Sequence, residues 1–244
     1  MFISIHVDDG LVVFKCKTEL DKLINLLGKD FDIKTEVNPT DYLGIEIKRG
    51  VSYIKLSQSK YTENVLKTFN MYDAKSVETP MIPENVSGNI FETGESRIDV
   101  INFPYRKAVG SLLYLSNKTR PDIAFATNVV SRHLENPDKS DVIKVKRILR
   151  YLKGTMSDGI IFKKSGTLNL NAYSDADYGG DLDTRRSTTG YVIFIGNSPV
   201  CWSSRRQHLV ATSSSESELM AAFDCVKTLA YMRNLMLELI DEYI

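Results

Sequence analysis

Between Leu168 and Phe223 the apolar pattern changes its period, and this change narrows the folds open to the chain more than any other feature. Leu168-Asn169-Leu170-Asn171-Ala172-Tyr173 alternates apolar and polar residues, then runs into Ser174-Asp175-Ala176-Asp177-Tyr178. That is the pattern of a half-buried strand delivering carboxylates at its end. Ser213-Ser214-Ser215-Glu216-Ser217-Glu218 reads as a serine-rich cap with acids in a helix's first turn. The helix continues to about Ile240, with Leu219, Phe223, Val226, Ala230 and Leu237 on roughly one side. One acid at a strand end and another in the first turns of a helix are parts of a candidate divalent-metal site. Hard cations such as magnesium take oxygen ligands, and a pair of them clamps the attacking and leaving oxygens of a phosphodiester.

The composition excludes several classes. Lys+Arg and Asp+Glu are both 31, so any basic surface for nucleic acid must be local. Cys16, Cys201 and Cys225 are far apart and odd in number. That excludes a disulfide framework and a zinc ribbon and suits a reducing compartment. The three histidines are equally scattered, and no apolar run is long enough to span a bilayer. Asp8-Asp9 interrupts the apolar start, which argues against a signal peptide. The first residues already read as a strand and the last as the end of a helix, so both ends are expected to be cuts through a larger fold.

In chain order, residues 2–7 and 11–15 are β-rich runs joined through Asp8-Asp9-Gly10, a hairpin signal. The two aspartates are either plain turn formers or a metal-holding pair. A helix from Thr18, its candidate N-cap, to Asp30 follows. Phe31–Val37, Tyr42–Lys48 and Tyr53–Leu56 read as strands, and Ser57 as the cap of a helix through Phe69. Residues 73–102 hold Pro80, Pro83, Gly88 and Gly94 with little periodicity, a linker or long loop. Phe103 to Lys153 is expected to be helical. Its third helix, Ser140 to Leu152, carries Lys144, Lys146, Arg147, Arg150 and Lys153 between apolar positions, and Gly154 ends it. That basic row is either a solvated face or a phosphate-backbone contact. Gly159–Lys163, Leu168–Tyr173, Gly190–Ile195 and Val200–Trp202 read as strands, with Leu209-Val210-Ala211 a shorter one.

Several motifs in a fixed order carry a resemblance. They are His6-Val7-Asp8-Asp9, Asp41-Tyr42-Leu43-Gly44-Ile45-Glu46-Ile47, Leu56-Ser57-Gln58-Ser59-Lys60-Tyr61, Thr79-Pro80 and Tyr105 to Leu115. Thr119-Arg120-Pro121-Asp122-Ile123, Lys146 to Thr155, Tyr173 to Gly180, Arg186 to Tyr191 and Trp202 to Ala222 complete the series. Together they resemble the Pol polyprotein of copia-type LTR retrotransposons, from the reverse transcriptase palm into RNase H. His6-Val7-Asp8-Asp9 is similar to the Tyr-x-Asp-Asp hairpin of reverse transcriptases, with His6 in place of the tyrosine.

The resemblance implies an α+β chain of four parts. Residues 1–72 would be the C-terminal part of a palm, 73–102 a linker or long loop, and 103–154 a helical thumb or connection region. Residues 155–244 would be an RNase H-like domain truncated at its C-terminus. It implies that Asp8 and Asp9 bind catalytic Mg2+, and that Asp175 and Glu218, the latter in Glu218-Leu219-Met220-Ala221, hold the metals of the RNase H. Asp177 and Glu216 read as a loop acid and a helix-cap acid. The implied partners are primer–template nucleic acid or an RNA–DNA hybrid, reached through the basic row at 144–153, and the rest of Pol. No membrane is implied, and relatives work in cytoplasmic particles and then the nucleus. Both active sites are expected to be incomplete in this chain, so that it alone lacks activity. The other readings are a nucleic-acid-binding remnant or a relic.

Overall fold

The computed structural model describes residues 1–82, 102–164 and 168–241. Most of the expected loop at 73–102 therefore lies outside the described residues.

Strands β1 (Phe2–His6) and β2 (Asp9–Val13) form an antiparallel hairpin with His6 opposite Asp9. The two-residue turn is Val7-Asp8, not Asp8-Asp9-Gly10, so Asp9 and Gly10 belong to the ladder. Helix α1 (Lys17–Leu27) follows with Cys16 as its N-cap. Thr18, the expected cap, lies inside the helix, where its hydroxyl meets the Cys16 thiol at 2.9 Å. The expected strand at Phe31–Val37 does not form: the segment pairs with no strand among the described residues, and Phe31 and Val37 are exposed. β-branched and aromatic residues favour a strand only where a ladder partner is in register.

A four-stranded antiparallel sheet comes next, β3 (Asp41–Tyr42), β4 (Ile45–Arg49), β5 (Tyr53–Ser57) and β6 (Gly159–Lys163), in that order. The β3–β4 turn is Leu43-Gly44, with φ of +50° and +74°. Two positive φ values in a two-residue loop match the right-handed twist of the flanking strands. The Tyr114 hydroxyl donates to the Leu43 carbonyl at 2.9 Å. A Cβ on Gly44 would stand 2.5 Å from that hydroxyl oxygen. Gly44→Ala is expected to cost about 2 kcal/mol, from the left-handed backbone and the displaced tyrosine. A urea midpoint unchanged from wild type would refute this.

Strand β6 was grouped from the sequence with the C-terminal domain. It instead adds to β5, with Tyr53 opposite Lys163 and Ser57 opposite Gly159. Helix α2 (Ser59–Thr68) has Gln58 rather than Ser57 at its N-cap. Glu46 on β4 accepts the Lys60 amide at 2.7 Å, satisfying a first-turn donor from outside the helix.

Helices α3 (Tyr105–Lys118), α4 (Ala124–Ser131) and α5 (Lys139–Gly154) pack with α2 around the main core. A 3-10 turn at Pro121–Ile123 leads into α4. Val142, Val145, Ile148, Leu149 and Leu152 give α5 a wholly buried face at helical spacing. Asp138 and Asp141 cap its start reciprocally. Arg120, only 2% exposed, closes this layer. It donates to the Asp122 carboxylate, the Thr155 carbonyl and the Thr155 hydroxyl, tying the end of α3 to the end of α5. Burial opposes ionisation of Asp122. The bonds from Arg120, its charge and the Tyr151 hydroxyl outweigh that and hold the carboxyl below its ordinary range.

The C-terminal unit is a three-stranded antiparallel sheet, β7 (Leu170–Asp177), β8 (Thr188–Ile195) and β9 (Ser198–Arg206), covered on one face by α6 (Ser214–Asp241). The expected strand at Leu209-Val210-Ala211 is irregular, with only Ala211 buried. The large apolar row of α6 does not face the sheet. Ser217, Ala221 and Cys225 meet the sheet, whereas Leu219, Phe223 and Val226 are 71%, 63% and 58% exposed. Small residues let the helix lie close on the pleated surface, and the larger apolar row turns outward. Trp202 on the other sheet face donates its indole N–H to the Ser116 carbonyl at 2.7 Å, joining this unit to α3.

Candidate active sites and nucleic-acid interface

The β1–β2 tip presents both paired acids. Asp8 sits in the turn and Asp9 opens β2, and both are exposed. Val7, between His6 and Asp8, has φ +53°. A β-branched residue in that region is a genuine outlier and costs about 1–2 kcal/mol. Two carboxylates at one tip are the hard oxygen donors that magnesium takes. Among the described residues no group of three or more His, Cys, Asp or Glu gathers to hold a metal. Asp8 and Asp9 thus fit as part of a ligand shell, with the remaining positions open to water, phosphate or other donors.

Asp175 lies inside β7, opposite Gly190, and not at the strand's end, because the ladder continues through Asp177 opposite Thr188. Alternation puts Asp175 and Asp177 on the sheet face shared with Val192 and Trp202, away from α6. Tyr173 and Phe194 on that face meet edge-to-face at 6.0 Å. Glu218 is exposed in the first turns of α6, which packs against β7. Glu216 is engaged as a cap: its carboxylate accepts from the Thr212 hydroxyl at 2.7 Å, and its amide donates to the Ser213 hydroxyl. The Asp177 carboxylate lies over Gly180, where a Cβ would stand 1.9 Å from an oxygen.

The basic row on α5 is mostly engaged by the chain itself. Arg147 donates to the Thr79 hydroxyl at 2.8 Å and Arg150 to the Lys75 carbonyl at 2.7 Å. The Lys153 ammonium lies 4.1 Å from the Tyr72 ring centroid. Lys144 is 4.0 Å from Asp141. Lys146 is half-buried.

Two sites escaped the sequence reading. The first is Asp181, 8% exposed. Its carboxylate accepts from Arg206 at 2.7 Å, from Arg132 at 3.2 Å, and from the Thr184 amide and hydroxyl. Burial alone would raise its pKa, but the bonds from Arg206 and Thr184 and the Arg206 charge hold it well below the carboxylate range. Arg132 also donates to Asn128 and Thr188. Asp181 therefore links α4, the β7–β8 connection and β9. Its partners stand 49 and 25 residues away, a spacing that no local motif records. The second is a cleft of about 410 Å³ lined by Asp41, Glu46, Lys60, Tyr61, Asn64 and Tyr114. Asp41 and Glu46 face each other across β3 and β4 there. Lys60 stands 3.6 Å from Asp41.

Comparison with known proteins identifies relatives along nearly the whole chain. Residues 1–83 match the family described as reverse transcriptase (RNA-dependent DNA polymerase). The chain is 41% identical over 243 residues to the retrovirus-related Pol polyprotein from transposon TNT 1-94 of Nicotiana tabacum, covering 98% of this chain and 18% of that one. It is 38% identical over 239 residues to that of transposon RE1 of Arabidopsis thaliana, covering 98% and 16%. An uncharacterized mitochondrial protein of Arabidopsis thaliana is 38% identical over 226 residues, 91% of this chain and 90% of that protein. No solved structure matches. The chain thus spans less than a fifth of the Pol polyproteins it matches. Among the described residues no helix is long and apolar enough to cross a membrane. With the reverse transcriptase match over its first third and Pol identity along nearly its whole length, the chain belongs to the Pol polyprotein family of copia-type LTR retrotransposons.

Proposed function

We propose that this chain is a segment of an RNA-directed DNA polymerase with ribonuclease H, whose parent copies RNA into DNA and degrades the RNA of the hybrid. Residues 1–72 are then the C-terminal part of the palm, 103–154 the thumb or connection region, and 155–244, apart from strand β6, the start of an RNase H-like domain. The observation that carries this reading is the β1–β2 tip. There Asp8 and Asp9 are held side by side behind a valine at positive φ, and strain of that kind persists where function over-determines a turn. Asp8 and Asp9 would hold magnesium, which supplies Lewis-acid stabilisation of the phosphoryl oxygens. Their own part is to present carboxylate oxygens at the hairpin tip, Asp8 from the turn and Asp9 from the first position of β2. Asp175 on β7 and Glu218 on the adjoining α6 are the acids proposed for the second activity, although Asp175 lies on the sheet face turned away from α6 and the two are not gathered here. On this reading the chain works as part of a Pol polyprotein, of whose matched relatives it spans less than a fifth.

Manganese is the probe for the tip. Substoichiometric Mn2+ is expected to broaden the amide NMR signals of residues 7–10 selectively in this chain. Asp8→Asn with Asp9→Asn should abolish that broadening. Loss of signal spread evenly over the protein, or none with millimolar ion, would count against a metal site at the tip.

A further inference from the structure

The segment after α2 runs back over the basic face of α5. Met71, Tyr72 and Met81 pack against the helical core. The Tyr72 ring lies between the ammonium groups of Lys67 and Lys153, 5.3 and 4.1 Å from its centroid. Ser76 passes so close to Gly154 that a Cβ there would stand 3.0 Å from the serine Cβ. From Lys75 to Ile82 the backbone has no regular structure, and Thr79 is exposed.

At this crossing the charges do not balance. Among the described residues, neither Arg147 nor Arg150 pairs with a carboxylate. Arg147 reaches only the neutral hydroxyl of Thr79, at 2.8 Å. Its Nε is buried with no partner. Desolvation and the nearby charge of Arg150 both act against the charged form of Arg147, and among the described residues no acid offsets them. A half-buried guanidinium in this position has unfilled capacity for an anion. The atom it already holds is a threonine oxygen, and Pro80 follows that threonine. Proline biases the preceding residue to extended backbone, the form in which a kinase cleft takes its substrate.

We propose that Thr79 is a phosphorylation site whose phosphate is received by Arg147 on α5. A proline-directed serine/threonine kinase supplies the group from ATP. The bond from Thr79 Oγ1 to the γ-phosphorus forms as the bond from that phosphorus to the ADP oxygen breaks. The hydroxyl proton passes to the kinase's base, and ADP leaves. The phosphate dianion then pairs with the Arg147 guanidinium at the nitrogen that already holds Thr79 Oγ1, fastens residues 75–82 to α5 and neutralises part of the basic row. This stands apart from the polymerase reading, since it uses none of Asp8, Asp9, Asp175 or Glu218.

The test treats the full chain with a proline-directed kinase and ATP, then maps the label by mass spectrometry. Thr79 is expected to carry the phosphate, and Thr79→Ala to lose it. Phosphorus NMR should place the second ionisation of the phosphate below its ordinary pKa of about 6. Arg147→Gln should move it back, and Arg147→Lys, which keeps the charge, should retain part of the shift. Amide exchange at residues 75–82 should slow about 10-fold on phosphorylation. A kinase that labels other sites but not Thr79 overturns the proposal. So does a phosphate that titrates identically in wild type and both Arg147 variants.

Discussion

Asp8→Asn or Asp9→Asn is expected to abolish DNA synthesis in a Pol polyprotein that carries this segment. The measurement is a chimera in which this chain replaces the matching 18% of the tobacco polyprotein, to which it is 41% identical. Each amide keeps the shape of the side chain and removes one anionic oxygen donor from the hairpin tip. Metal-bound charge stabilisation contributes several kcal/mol to phosphoryl chemistry, so the loss should be about 10³-fold in primer extension, or about 4 kcal/mol. Both acids are exposed and support no packing, so the folded fraction should not change. His6 stands directly opposite Asp9, and His6→Tyr should preserve synthesis because it leaves both carboxylates in place. An active chimera indifferent to both aspartates would refute the site. An inactive chimera beside an active tobacco parent would refute the functional reading of this segment.

Asp181→Asn carries the largest expected loss of stability, roughly 3 kcal/mol. The side chains of Asp181, Arg132 and Arg206 are 7%, 11% and 33% exposed. Removing this acid leaves two guanidiniums facing each other, with only the weaker charge of Asp177 left to act on Arg132. Water reaches Arg206, which keeps the loss at the lower end for a broken buried pair. The carboxyl of Asp181 is depressed in the folded state, so its contribution is present above the unfolded carboxylate pKa of about 3.9 and is lost as pH falls through the folded value. The gap in urea midpoint between wild type and variant should therefore be full at neutral pH and shrink in acid. Equal midpoints at neutral pH, or a gap that widens in acid, would show that the arginines find other partners.

Asp8 and Asp175 show what could be read before any coordinates. Both lie in runs whose period and turn chemistry are local properties, and both fall in strands or at a strand tip as read. Their placement within those elements was less legible. The turn slid to Val7-Asp8, and β7 ran on through Asp177, because ladder partners decide where a strand stops. Which side of α6 meets the sheet was likewise not legible from its pattern. A row of large apolar residues looks like a core-facing stripe, yet the sheet accepted the small row Ser217, Ala221 and Cys225. Close packing on a pleated surface favours whichever side chains fill the space, not the most apolar ones.

The sequence by itself determined the α+β order, the helical middle with its buried α5 face, the hairpin acids and the family. Each rests on short-range periodicity or on motifs that keep their order along the chain. The folded core set the pairings between distant residues. It set β6 beside β5 across 102 residues through Lys55 and Ser157. It enclosed Asp181 between Arg132 and Arg206, and it laid Thr79 against Arg147 across 68 residues. Ion pairs, hydroxyl contacts and strand edges depend on which surfaces meet when the core closes, and no local pattern encodes that meeting.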